Sequence, residues 1–186
     1  MCIATKPITV EEFLYWPDDG LRHELVMGEV TNVSPGSSRH GFVISRLNRL
    51  IEVFVEQHKL GAVFGAETGF VLARNPDTVL APDVAFVRRA RLAVTRLSDS
   101  FFEGPPDLAV EVMSPSDSRP QAEKKAKQWL EHGAREVWIV NPKSKSISVL
   151  SHDHDPQVCA AADQFSASEI LSGLTFAVRD LFAELF

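Results

Sequence analysis

The chain has 186 residues, enough for a domain with a sizeable core, and 45% hydrophobic against 24% charged residues excludes disorder as the default. A formal net charge of −6 argues against a non-specific DNA binder, which usually shows a basic face. No apolar run approaches the ~20 residues that cross a bilayer. Residues 1–7 lack the apolar core of a signal peptide, and two cysteines, Cys2 and Cys159, make no disulfide framework. One domain over residues 1–186 in a reduced, cytoplasmic setting is the expectation.

Thr9 followed three residues later by Glu12 reads as a capping box opening a short helix through Tyr15, closed by the turn residues 16–20. Residues 22–26 and 29–33 read as two strands of a hairpin around Met27-Gly28. Glu24 lies inside the first, where residue type alone favours a surface position. After a loop over residues 34–38, Val43, Leu47, Leu50, Ile51, Phe54 and Val55 fall at helical spacing, and the helix is expected to begin near Arg39 or His40. At that helix N-terminus His40 has two readings, a capping or packing role and contact with an anion. Residues 63–66 and 70–73 suggest a second hairpin around Thr68-Gly69, with residues 74–77 as a turn. Residues 81–87 are a short buried-strand pattern with Asp83 at its start. Arg88, Arg89, Arg91 and Arg96 then form a basic stretch, read either as solvated surface or as part of a binding face.

Residues 106–142 organise the rest: strand, polar turn, helix, strand. The apolar run of residues 108–113 is interrupted by Glu111, and a charge in a strand buried on both faces is costly unless paired or metal-bound. Pro120 suits a first helical position for the following helix, with Ser118 or Asp117 near its cap. Ala122, Ala126, Trp129, Leu130 and Gly133 form its apolar stripe. At ~100° per residue Lys125 projects on the edge of that stripe, toward the sheet holding Glu111, while Lys124 faces solvent. Residues 119–145 carry seven basic against three acidic side chains. Residues 136–140 and 146–150 read as a hairpin around residues 143–145. His152 and His154 lie in a polar loop with no further ligands at metal spacing, and residues 178–185 read as a short amphipathic helix. Ser114 and Ser116 lack a nucleophile elbow, and no phosphate-binding glycine pattern is present.

Asp83 and Glu111 on neighbouring strands would repel, and a hard cation is the natural way to keep both ionised, Mg²⁺ first and Mn²⁺ as substitute. Lys125 could then orient a water or stabilise charge on a phosphate.

Pro82-Asp83, residues 111–116, Lys125 with an aromatic four residues on, residues 133–142, residues 23–29 and His40 together resemble the Uma2 family, a branch of the PD-(D/E)XK, restriction-endonuclease-like superfamily. The resemblance covers roughly residues 9–183. In the superfamily's usual pattern the lysine lies two residues after the second acid, where this chain has Met113; the family moves it to the next helix, where Lys125 stands. Trp129 replaces the family's usual tyrosine and Asn141 its usual aspartate.

The resemblance implies an α/β fold: a mixed, twisted sheet with flanking helices and an N-terminal β-hairpin addition. It further implies a Mg²⁺-dependent endonuclease acting on DNA. Asp83 and Glu111 would hold the metal with the main-chain carbonyl of Val112 and Glu24, Lys125 would position the water, and His40 would touch the scissile phosphate. Family members pair as homodimers, for which Phe101-Phe102, expected to be exposed, would suit an interface. A second reading is a catalytically weak or inactive binding module of the same fold, supported by the acidic net charge. A basic cleft around the carboxylates would favour the nuclease, and a closed acidic pocket the module.

Overall fold

The structure, a computed structural model, describes residues 6–95 and 97–183. In chain order its elements are α1 (Val10–Leu14), β1 (Arg22–Val26), β2 (Glu29–Val33), α2 (Ser38–His58), β3 (Gly61–Gly65), β4 (Phe70–Ala73), β5 (Thr78–Leu80), β6 (Val84–Arg88), α3 (Arg89–Leu92), β7 (Phe102–Glu103) and β8 (Leu108–Val112). There follow α4 (Arg119–Glu131), β9 (Glu136–Asn141), β10 (Ser146–Ser151), β11 (Gln157–Cys159), β12 (Gln164–Ser166), a 3₁₀ turn (Glu169–Leu171), β13 (Thr175–Ala177) and α5 (Val178–Phe182).

Local chemistry explains the helix boundaries. The Thr9 hydroxyl accepts the Glu12 N–H while the Glu12 carboxylate accepts that of Thr9, and Ser118 and Gln121 repeat this box at α4. Ser37 caps α2 alone, accepting the His40 N–H, so the helix starts one residue before the expected place. In the β1–β2 turn, Met27 and Gly28 both take positive φ, 51° and 78°, the conformation a tight hairpin needs.

Six strands form one sheet in the order β11-β10-β9-β8-β6-β3, antiparallel except for β8 and β9. A parallel pair needs a crossover, and α4 supplies it. Side-chain alternation sends Leu108, Val110 and Val112 of β8 to one face, where they meet Val43, Leu47, Ile51 and Val55 of α2. Ala109 and Glu111 point to the other face, which α4 covers with Ala126, Trp129 and Leu130. Trp129 and Trp138 are both 0% exposed. Truncating either to alanine should cost about 3–5 kcal/mol.

The N-terminal hairpin forms in the expected register and continues into a five-stranded sheet, β2-β1-β5-β4-β7, whose Phe70, Leu80 and Phe102 join the α4 cluster. Here three expectations are corrected. The expected hairpin of residues 63–66 and 70–73 does not form: β3 pairs with β6 in the six-stranded sheet, and β4 with β5 and β7 in the other. Both strands carry apolar residues on both faces, so alternation could not name their partners. Phe101 and Phe102 are not exposed aromatics, because Phe101 stacks on Phe13 and Phe102 sits 6% exposed against Phe64 and Phe70. Part of the arginine-rich stretch is structural, with Arg88 and Arg91 both engaged on buried Asp107; Arg96 lies outside the described residues, as do Cys2 and residues 184 and 185 of the expected tail helix. The strands β11, β12 and β13 were not foreseen. No helix among the described residues is long and apolar enough to cross a membrane.

Candidate active site

The carboxyl-terminal end of β8, the start of α2, the first half of α4 and strands β1 and β2 of the five-stranded sheet enclose a cavity of about 320 Å³ whose lining includes Glu24, His40, Asp83, Glu111, Val112 and Lys125. Three polypeptide segments far apart in sequence contribute the acids. Asp83 immediately precedes β6, and its main-chain N–H bonds to the Val110 carbonyl at 3.0 Å, which sets it beside the end of β8. Glu111 arrives by alternation on the α4 side of β8. Glu24 comes from β1, its Oε1 accepting the Ala81 N–H at 3.4 Å.

These groups form two linked sets. The Lys125 ammonium lies 3.0 Å from Glu24 Oε1 and 3.2 Å from Glu111 Oε2, bridging the two carboxylates. One helical turn on, Trp129 Nε1–H donates to Glu111 Oε1 at 2.7 Å, so each oxygen of Glu111 has its own donor. In the second set Asp83 Oδ2 accepts the Val112 N–H at 2.7 Å and lies 3.4 Å from His40 Nε2. Val112 is the residue after Glu111, and its amide joins the sets through the backbone. Gly36 makes room for His40: a Cβ there would come within 2.3 Å of the imidazole Nδ1.

Glu111 carries the electrostatic strain of the site. Burial pushes its carboxyl up to about 7; Lys125 opposes this, Asp83 and Glu24 add to it by repulsion, and the Trp129 bond counters it. Lys125 loses solvation by burial, yet Glu111 and Glu24 together hold its proton more firmly than an ordinary lysine's. The hydrogen bond to Asp83 raises the His40 pKa against the effect of burial. Three carboxylates therefore meet one ammonium and one imidazole that is readily protonated, leaving room for further positive charge. The donor chemistry suits a hard divalent ion, since Asp83, Glu24, Glu111 and the Val112 carbonyl all offer oxygen. Among the described residues no three His, Cys, Asp or Glu side chains close on one point, and the Lys125 ammonium stands between two of the acids.

Sequence reasoning noted Trp129 as part of the apolar stripe and as a departure from the family's tyrosine, but missed its bond to Glu111. The signal was available, because positions 125 and 129 share a helix face one turn apart. It also missed Arg22, Thr31, Asn32 and Gln121 in the lining, which reach the cavity through tertiary packing. His152 is tied to the Leu130 carbonyl at 2.9 Å, away from these groups. Asn141 accepts the N–H groups of Lys143 and Ser144 and so shapes the β9–β10 turn.

The sequence profile of the Uma2 family, described as "putative restriction endonuclease", matches residues 10–179. Among solved structures, a crystal structure from Anabaena variabilis described as "a putative nuclease" is similar at a TM-score of 0.79 and 22% identity, covering 95% of this chain and 98% of the other. That likeness establishes the shared fold. No curated protein gives a significant match.

Proposed function

The chain belongs to the Uma2 family, and from that premise we propose that it is a divalent-metal-dependent endonuclease that hydrolyses DNA phosphodiester bonds. The observation that carries the reading is Glu111: a buried carboxylate, pushed up to about 7, facing two further carboxylates and one lysine at an open cavity. Asp83, Glu111 and the Val112 carbonyl, joined by Glu24, would hold Mg²⁺, with Mn²⁺ as substitute. Bound there, such an ion polarises a phosphoryl oxygen and favours ionisation of a water. Lys125 orients the attacking water and stabilises negative charge growing on the phosphoryl group, an interaction stronger in the transition state than in the ground state. His40, whose pKa the bond to Asp83 raises, contacts an oxygen of the scissile phosphate. Trp129 restrains Glu111 so that Oε2 stays toward Lys125.

Residues 1–186 act as one domain in this reading, in a reducing cytoplasmic setting and as a homodimer, a state that sedimentation would test. The rival, a metal-competent binding module with little activity, draws on the Lys125 bridge, because an ammonium already stands between Glu24 and Glu111. Cleavage of plasmid, single-stranded and branched DNA with Mg²⁺ or Mn²⁺ separates the two. Metal-dependent cleavage abolished by Glu111→Gln is expected. Metal binding without cleavage of any substrate favours the module. Calorimetry giving Asp83→Ala the same Mn²⁺ affinity as the wild type would overturn the metal assignment.

A further inference from the structure

Beside the carboxylate cavity lies a second hollow of about 670 Å³ that shares His40, Met113, Ser114 and Asp117 with it. Arg39, Arg119 and Lys143 line the part not shared. Its one acid, Asp117, is engaged locally, Oδ2 accepting the Ser114 N–H at 2.6 Å. The residues after β8 and after β9 form its floor, so it opens where two parallel strands end and their connections diverge, the usual place for ligands in such sheets.

Two helices aim their N-termini at this hollow. Neither α2, of 21 residues, nor α4, of 13, has an acid in its first turn; each carries an arginine there, Arg39 and Arg119. A cation at a helix N-terminus works against the helix dipole, and an anion held between it and the dipole removes the conflict. Arg119 also pairs with Glu123 at 2.7 Å, though both side chains are largely exposed and such a pair is worth little. Two arginines and a lysine around one concavity, continuous with a site of phosphoryl chemistry, match a polyanion of regular spacing better than a single small anion.

We infer that this second hollow seats the sugar–phosphate backbone of the strand being cut, to one side of the scissile bond, with Arg39, Arg119 and Lys143 contacting successive phosphates. The inference rests on the nuclease reading for its orientation, with His40 at the junction of the two cavities. Such contacts position the strand without reading its sequence.

The test measures binding of a fluorescent single-stranded 20-mer DNA by the full-length protein in chelator, over 50–200 mM salt. The variants are the triple Arg39→Gln/Arg119→Gln/Lys143→Gln, each single change, and a charge-matched control, Lys127→Gln/Arg135→Gln/Arg179→Gln. Three phosphate contacts on a single strand contribute a slope of about 2 in log affinity against log salt, so across this range the wild type should lose roughly 20-fold more affinity than the triple variant. Each single variant should lose about a third of that slope, which guards against a triple variant that folds poorly. The control should keep the wild-type slope. Slopes unchanged in the triple and single variants, or reduced as much in the control, would overturn the inference. If the wild type cleaves no DNA yet the slope falls as stated, the groove stands and the nuclease reading falls. If cleavage is found and the slope does not move, the groove falls alone.

Discussion

A buried carboxylate stands at each end of β8, and the two are treated differently by their surroundings. Asp107, 5% exposed, precedes the strand; its Oδ2 accepts the Arg88 N–H at 3.0 Å and an Arg91 N–H at 3.3 Å, and Arg88 Nε lies 3.4 Å from Oδ1. Burial raises its pKa and Arg91 pulls the other way. One acid meets two guanidinium groups and a backbone N–H, all of them local, although burial still leaves its pKa raised. Glu111, near the far end, has one ammonium that it shares with Glu24, and Asp83 close enough to repel it. The same strand thus carries a charge whose partners satisfy it and a charge whose partners do not. Burial does not distinguish the two acids; the excess of carboxylate over cation beside an open cavity does.

The sharpest way to break this contrast is Lys125→Ala. If Lys125 serves the transition state, the change should lower single-turnover cleavage on the order of 10²–10³-fold while DNA affinity measured in Ca²⁺ stays close to wild type. Equal damage to the chemical step from Lys124→Ala would show that the helix phase has been misread.

Asp107→Ala should act on stability alone. It removes the acceptor of the part-buried Arg88 N–H and the carboxylate partner of both guanidinium groups, of which Arg91 keeps the Pro105 carbonyl, at a cost of about 2 kcal/mol. Urea unfolding should show that loss, with metal affinity unchanged. Glu111→Gln should be neutral or stabilising without metal, since relief from burying a charge and from repulsion by Asp83 and Glu24 offsets the lost attraction to Lys125. It should also abolish the rise in melting temperature that saturating Mg²⁺ gives the wild type. Equal metal-induced shifts in the two proteins would refute the contrast.

A smaller effect lies in pH. The unfolded chain releases the Glu111 proton near 4.5, whereas the folded protein holds it to about 7. Between those values the native state binds more protons, so metal-free stability falls as pH rises through this window and stays lower above it. His40 acts in the same direction: its pKa is raised from 6.5, so its contribution is whole below that value and lost as pH rises through the folded one. The urea midpoint should be higher at pH 6 than at pH 8, by roughly 1 kcal/mol in free energy, and Glu111→Gln should flatten part of the slope. A midpoint that rises with pH would contradict both assignments. Smallest of all, Lys127→Ala should leave the cleavage rate unchanged, because its ammonium pairs with Glu131 on the exposed side of α4.

What the amino-acid order determined by itself was local. The Thr9/Glu12 and Ser118/Gln121 caps, the Met27-Gly28 turn and the apolar stripe of α2 depend on neighbours within about four residues. So does the phase of Lys125 relative to Trp129, which is why the side chain meeting Glu111 could be told from Lys124. Only the tertiary structure decided which strands pair. β3 and β4 are separated by four residues yet belong to different sheets, and pairing between strands apolar on both faces is settled by long-range contacts that periodicity does not encode. The same long-range packing brings Glu24 from the second sheet to Lys125, 101 residues away, at 3.0 Å. It also turns Phe102 from an expected interface residue into core. Residue types announce which charges are costly to bury; only the assembled layers determine which of them are balanced.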